Sequence, residues 1–325
     1  MCAVGAVKGS GTAAIRTHPT TRDGRWTMAE HADEEAAMSE DGQAGAGWPG
    51  RRPVVGVLHP GAMGAALGAA LKARAGGVLW AAAGRSDATA KRAELADLVA
   101  VADIAALARR CDLIVSICPP HAAFDTAARV AEALAAGGEG GHRPLYVDAN
   151  AVSPATVRRI AGLFGPGQVV DGAVIGPPAW EPGRSVLWLS GRHAEAVAAL
   201  FDSTPFAART LGAQPGRASA LKACFALQSK ALPAVWALME RAAQSAGVDA
   251  ELRAELARNG LDLDERLSAL SAKAGDRAWR WAGEMDEAAE AMAGLGVPDG
   301  FSRAAAEVYR AMREGPGPAG RPPLG

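Results

Sequence analysis

The chain has 325 residues, with 34 Lys and Arg against 35 Asp and Glu and a net charge of −1. That balance gives no electrostatic reason to bind nucleic acid or an anionic membrane surface, and no apolar run is long enough to cross a bilayer. Cys2, Cys111, Cys118 and Cys224 form no C-x-x-C or zinc-type pattern and are expected to be small buried residues in a reducing cytoplasm.

Residues 1–51 lack periodicity and the apolar core of a signal peptide; they are expected to be a disordered extension, with Met28 or Met38 as alternative starts. The stretch Val54–Gly64 then reads as a short buried strand, a tight turn and an Ala/Leu-rich helix, the opening of a dinucleotide-binding βαβ unit. Its turn is written H-P-G-A-M-G, so His59 stands where G-x-G-x-x-G has its first glycine. Gly61 is expected to let the backbone approach a pyrophosphate, and Gly64 to let the helix pack close to the strand. The N–H groups of the first helical turn are expected to bind phosphate. Pro60 fixes its own φ and is expected to hold His59 extended.

A helix over 62–75 is followed by a strand at Gly77–Ala82 and helices over 91–98 and 104–110. Leu113–Cys118 is a nearly continuous apolar run stopped by Pro119 and Pro120, as in a strand buried on both faces. A helix over 121–136 and a strand at Leu145–Asp148 follow. Ser153-Pro154 then reads as a cap with proline just inside the helix, and strands are expected at 169–174 and 186–189. Strands alternating with helices imply a parallel, doubly wound sheet. From Gly216 the strand signals vanish, and helical patterns run to Arg313 before Gly315-Pro316 ends them. The fold class is therefore α/β, a Rossmann-type doubly wound sheet (52–211) followed by an all-helical C-terminal domain (212–314) and a disordered tail (315–325).

In the helix after Gly216, Leu221, Phe225, Leu232, Trp236 and Met239 form an apolar stripe, which Pro233 should kink or divide. Between Ala218 and Leu238 the only charges are Lys222 and Lys230. A lysine on such a helix is costly to bury unless paired. Lys222 either snorkels to solvent or sits in a cleft with a lowered pKa, as a general acid/base. At the end of the second strand, Gly84-Arg85-Ser86 stands where NAD-preferring sites carry an acid. A guanidinium and a hydroxyl there suit the 2′-phosphate of NADP(H); NAD(H) is the alternative, through Asp87. His59 and His121 lie at strand ends without an evident partner carboxylate, and His18, His31, His142 and His193 read as surface residues.

Several segments, in order, resemble the β-hydroxyacid dehydrogenase and 6-phosphogluconate dehydrogenase superfamily. Gly56–Gly64 resembles its nucleotide loop, Asn150–Pro154 its Ser-Thr-x-x-Pro segment near the nicotinamide, and Asp171–Pro177 its substrate loop. Gly216–Lys222 resembles the G-x-G-x-x-x-K segment that carries a catalytic lysine, with Ala218 in place of the second glycine. The turn H-P-G-x-M-G, the loop Ile175–Trp180 and Trp281–Met285 resemble a sub-branch with a phosphogluconate-dehydrogenase-like C-terminal domain of unknown function. The resemblance implies Lys222 as the catalytic residue and Asn150, Ser153, Ile175, Gly176, Trp180 and Phe225 as substrate neighbours. It places NADP(H) on His59, Pro60, Gly61, Ala62, Met63, Gly64, Arg85, Ser86, Pro119, Pro120 and Asn150. Ile175 and Pro177 replace a serine and a glycine that help bind a substrate carboxylate in that superfamily, so a small, rather apolar carbonyl or alcohol substrate is expected. The resemblance also implies a homodimer built on the helical domain. An imine reductase and a non-catalytic NADP(H)-binding sensor or structural subunit are the alternatives.

Overall fold

In the computed structural model, residues 48, 51–137, 143–275 and 278–313 are described. The expected tail, and the expected extension apart from Trp48 and Arg51, lie outside the described residues, as do His18, His31 and His142. The described residues fall within one compact unit, 43–325. Arg51 is tied to that unit, because its guanidinium forks onto Asp112 at 2.6 and 2.7 Å.

The apolar runs become strands and the Ala-rich segments helices. In order these are β1 Val54–Leu58, α1 Ala62–Leu71, β2 Gly77–Ala81, α2 Asp87–Leu95, β3 Val99–Val101, α3 Ile104–Arg110, β4 Leu113–Ser116, α4 Ala123–Ala135, β5 Leu145–Asp148, α5 Pro154–Ala161, β6 Val169–Ile175, β7 Ser185–Ser190, α6 Ala194–Ala198 and β8 Phe206–Thr210. The sheet order is β3-β2-β1-β4-β5-β6-β7-β8. Strands β1 to β6 pair in parallel, β7 pairs antiparallel with β6, and β8 pairs parallel with β7. The expected parallel, doubly wound sheet is present over β1 to β6, and one pairing, β6 with β7, departs from parallel. Residues 176–184 are fewer than the dozen or so that a parallel crossover needs, so the chain reverses there. Strands β3 and β8 and helix α6 have no counterpart in the sequence expectations. Strand β3 is only three residues long, and two alanines stand in β8 where β-branched side chains would mark a strand.

Alternation within the strands sorts their side chains to two apolar layers. Val55, Val57, Leu113 and Val115 join Leu67 and Leu71 of α1 on one side. Leu58, Ile114 and Tyr146 join Leu107 of α3, Val130 of α4 and Ile160 of α5 on the other. Burial on both faces explains the unbroken hydrophobic runs.

The all-helical region comprises α7 Arg217–Ala226, α8 Leu232–Ala246, α9 Asp249–Arg258, α10 Leu263–Ala274, α11 Ala278–Gly294 and α12 Gly300–Arg313. A π-helical turn, Leu227–Ala231, joins α7 to α8. Pro233 sits in the first turn of α8. It cannot donate a backbone hydrogen bond, and the wider turn just before it absorbs the mismatch. The helices share a third core of small and flexible residues, including Ala223, Ala274, Met285, Met292 and Tyr309.

Candidate active site

The strand order reverses between β1 and β4, and the crevice beyond their C-terminal ends is where doubly wound sheets bind ligands. The H-P-G-A-M-G turn lies there. His59 has φ 63°, in the left-handed region, rather than the extended geometry expected from Pro60. The turn is tight enough to put the Gly61 N–H 2.7 Å from the His59 carbonyl oxygen. A glycine adopts that conformation freely, and histidine is among the residues that tolerate it better than most. A Cβ on Gly64 would lie 2.5 Å from the His59 oxygen and 3.0 Å from Ile117 Cγ2, so only glycine lets α1 approach the strand. A Cβ on Gly61 would meet nothing closer than 4.0 Å.

This corner is electropositive. His59 Nδ1 and Arg85 Nε are both buried without a hydrogen-bond partner among the described residues. Burial, followed by the charges of Arg85 and Arg129, pushes His59 down to about 4. Helix α1 starts at Gly61 with no side-chain cap and no acidic residue in its first turn. The orphaned Arg85 N–H, an uncapped helix start and an open Gly61 fit the phosphates of a dinucleotide. Ser86, exposed beside Arg85, caps α2 by accepting from Thr89 N at 3.3 Å. Lys91 is paired with Glu94 at 3.0 Å. Pro119 is half-buried and Pro120 opens the short 3-10 turn leading into α4.

Beneath the crevice the strand register aligns Ser116 of β4, Asp148 of β5, Asp171 of β6 and Ser190 of β7, all fully buried. Asn150 closes the β4–β5 end. Its Oδ1 accepts from Cys118 N at 2.5 Å, and its Nδ2 donates to Ser116 Oγ at 3.2 Å and Asp148 Oδ2 at 3.0 Å. Burial raises Asp148 to about 7. Asp171 accepts from Ser190 Oγ at 2.9 Å, Gly216 N at 2.9 Å, Ser219 N at 3.0 Å and Ser219 Oγ at 2.6 Å. Its carboxylate therefore pins the N-terminus of α7 to the sheet, where the helix dipole favours a negative charge.

One turn further along α7, Lys222 enters a cleft of about 160 Å³. The cleft brings together Lys222, Phe225, Ile175, Gly176 and Met63 of the H-P-G-A-M-G turn with Lys230, Arg280 and Glu284. Burial pushes Lys222 down to about 8; Lys230 and Arg280 act in the same sense, and Glu284 and Asp148 oppose them. Glu284 holds the other two cations, with Oε2 3.0 Å from Lys230 Nζ and Oε1 3.1 Å from Arg280 Nε. Burial would raise the Glu284 carboxyl, but Lys230, Lys222 and Arg280 together keep it below the ordinary value. Lys230 also lies 5.7 Å over the Trp281 ring, and its carbonyl accepts from the Tyr309 hydroxyl at 2.7 Å. The π turn is thereby fastened to α11 and α12.

Three residues expected near substrate do not line this cleft. Trp180 is 58% exposed on the β6–β7 loop. Asn150 is engaged as described. Ser153 is buried and caps α5 by accepting from Thr156 N at 3.1 Å, with its hydroxyl 2.9 Å from Glu290 Oε2. Conversely, Lys230, Arg280 and Glu284 carry the charge of the cleft without having been singled out as site residues. The signal for the latter two was an Arg-x-x-x-Glu pair on one helical face among the buried Ala282, Met285 and Ala288.

Residues 243–312 match the family described as "Domain of unknown function (DUF1932)". No curated protein matches the chain. A conserved hypothetical protein from Sinorhizobium meliloti 1021 is similar, with 23% identity, a TM-score of 0.60, and coverage of 84% of this chain and 92% of that one. The conserved protein of unknown function MTH1747, whose structure revealed similarity with 3-hydroxyacid dehydrogenases, has 25% identity and a TM-score of 0.56, covering 80% of this chain and 97% of that one. Mycobacterium tuberculosis 3-hydroxyisobutyrate dehydrogenase has 16% identity and a TM-score of 0.58, covering 82% of this chain and 95% of that one, a likeness of fold. The chain thus has the fold of the 3-hydroxyacid dehydrogenases, a mostly parallel Rossmann-type sheet followed by helices, with a DUF1932 domain at residues 243–312.

Proposed function

We propose that this protein is an NADP(H)-dependent oxidoreductase that interconverts a carbonyl and an alcohol, with Lys222 as its general acid/base. The observation that carries the reading is the single cleft in which Met63 of the nucleotide turn meets Lys222. Gly61, the free N–H groups at the start of α1, Arg85 and Ser86 would hold the cofactor, whose nicotinamide supplies hydride chemistry when bound. Arg85 and Arg129 favour the additional phosphate of NADP(H) over NAD(H). Lys222, pushed to about 8, holds a proton at neutral pH and releases it readily to a developing alkoxide. Lys230, Arg280 and Glu284 favour a polar substrate over the apolar one that Ile175 and Pro177 suggested. The domain boundaries at 52, 212 and 315, the cytoplasm as compartment and a homodimer built on the helices complete the reading.

The test is NADPH consumption across a panel of small ketones, aldehydes and oxo acids, with a cyclic imine beside a matched ketone. Lys222→Ala is expected to lower kcat by about 10²–10⁴-fold while NADPH affinity, read by fluorescence titration, stays the same. Carbonyl reduction should also fall as pH rises above about 8, as Lys222 loses its proton. Undiminished turnover in Lys222→Ala would overturn the assignment. Tight NADPH binding without turnover of any compound would make the protein a sensor.

A further inference from the structure

Lys222, Lys230 and Glu284 of the cleft also line a second and much smaller cavity of about 20 Å³. Its polar lining is Lys222, Ser219, Lys230, Glu284 and Glu287. That volume and those groups suit one water molecule. Glu287 Oε2 accepts from Ser153 N at 2.6 Å and from Thr156 Oγ1 at 3.1 Å. Thr156 Oγ1 is 3.1 Å from Ser153 Oγ, and Ser153 Oγ is 2.9 Å from Glu290 Oε2. Glu290 is exposed. A continuous chain of exchangeable groups therefore runs from the cavity to the surface between α5 and α11.

We infer that Glu287, Thr156, Ser153 and Glu290 form a proton relay that recharges Lys222 from bulk solvent through the small cavity. The inference rests on Lys222 as the proton donor of the proposed reaction. In the reducing direction a bound reduced nicotinamide would supply the hydride to the carbonyl carbon, and the Lys222 ammonium would give the substrate oxygen its proton, leaving a neutral amine. The amine takes a proton from the cavity water, which takes one from the Glu287 carboxyl. Glu287 is reprotonated through Thr156 and Ser153, each hydroxyl accepting one proton and passing on another, and the proton enters at Glu290. The charge balance is one proton drawn from solvent for each hydride transferred. A substrate and cofactor filling the cleft would bar solvent from reaching Lys222 through it, which gives a separate path its purpose. Burial raises Glu287, with the bonds from Ser153 and Thr156 opposing and Glu290 adding to the rise. The other charged groups around it are Lys222, Lys230, Glu284 and Asp148.

The test pairs a spectroscopic with a kinetic reading. Infrared difference spectra of the apoprotein, wild type against Glu287→Gln, isolate the Glu287 carboxyl band. Its titration midpoint is expected to rise by about half a pH unit or more in Lys222→Met, because a neighbouring cation is removed; an unmoved midpoint sinks the relay. With NADPH and the best carbonyl compound of the panel, Glu287→Gln should lower kcat about tenfold. It should also enlarge the solvent deuterium isotope effect and leave the KM for NADPH unchanged, with Glu287→Asp recovering part of the rate. If Lys222→Met abolishes turnover while Glu287→Gln keeps wild-type kcat at every pH, the relay is wrong and the catalytic lysine stands. If Lys222→Met keeps turnover, the reading of the site itself falls, and the relay with it.

Discussion

Two glycines three residues apart meet different surroundings in the H-P-G-A-M-G turn. At Gly64 an added methyl collides with the backbone oxygen of His59, a group that cannot swing aside, whereas at Gly61 it would project into open space. The φ of −68° at Gly61 is one that alanine adopts without strain. Gly64→Ala is therefore expected to destabilise the fold by about 1–3 kcal/mol. Gly61→Ala should leave the melting temperature within a degree or two (a shift well under about 1 kcal/mol) and weaken NADPH at least about tenfold, if the cofactor backbone approaches there. Paired thermal melts and NADPH titrations of the two variants separate the roles; Gly61→Ala that binds NADPH normally would remove the turn from the cofactor site. The packing role of Gly64 was legible in the motif, because it follows from the lack of a side chain; the role of Gly61 toward the cofactor is what the titration decides. The conformation of His59 was not. The rule that a residue before proline avoids the helical regions is local, and the closure of the turn outweighs it.

At the scale of elements, the placement of Lys222 depends on how α7 is docked. Its first turn is held by a fully buried carboxylate, Asp171, which takes four donors from β7 and α7. An amide in its place presents N–H groups toward donors and leaves some of them unsatisfied. Asp171→Asn is expected to lower stability by about 1–3 kcal/mol and to reduce kcat by loosening the helix that presents Lys222. Chemical denaturation together with kcat measures both, and wild-type values for the two would refute the docking role. The sequence carried the helix and the break at Pro233, since helical spacing and the missing proline N–H are local properties. It carried the two-sided burial of β1 and β4 for the same reason. It misjudged the apolar stripe, because Phe225 and Leu232 are exposed and small residues such as Ala223, Ala226 and Ala234 fill the core instead. It did not carry the charged half of the cleft. Arg280 and Glu284 lie far along the chain from Lys222, and their charges look like an ordinary solvated helix face until α11 is packed against α5 and α7.

For the molecule as a whole, the telling surface is the one between α8 and α12. These helices flank an apolar groove of about 520 Å³ lined by Val235, Leu238, Phe301 and Val308. Phe301 is 72% exposed and Leu238 50% exposed. Apolar area left in water costs about 25 cal/mol per Å², and a contiguous patch of this kind marks an interaction surface. A second copy meeting the same face would bury it twice over in a self-complementary contact. The groove is lined in part by Ala231, the last residue of the π turn whose Lys230 lines the cleft, so association on this face would bear on the geometry around Glu284. Sedimentation velocity at micromolar concentration should therefore show a dimer. The double substitution Leu238→Glu with Phe301→Glu should yield a monomer whose far-ultraviolet circular dichroism is unchanged, because neither side chain belongs to the helical core. The monomer should also turn over more slowly, through the π turn. A wild-type protein that sediments as a monomer would exclude the homodimer, and a double variant that remains dimeric would place its interface elsewhere.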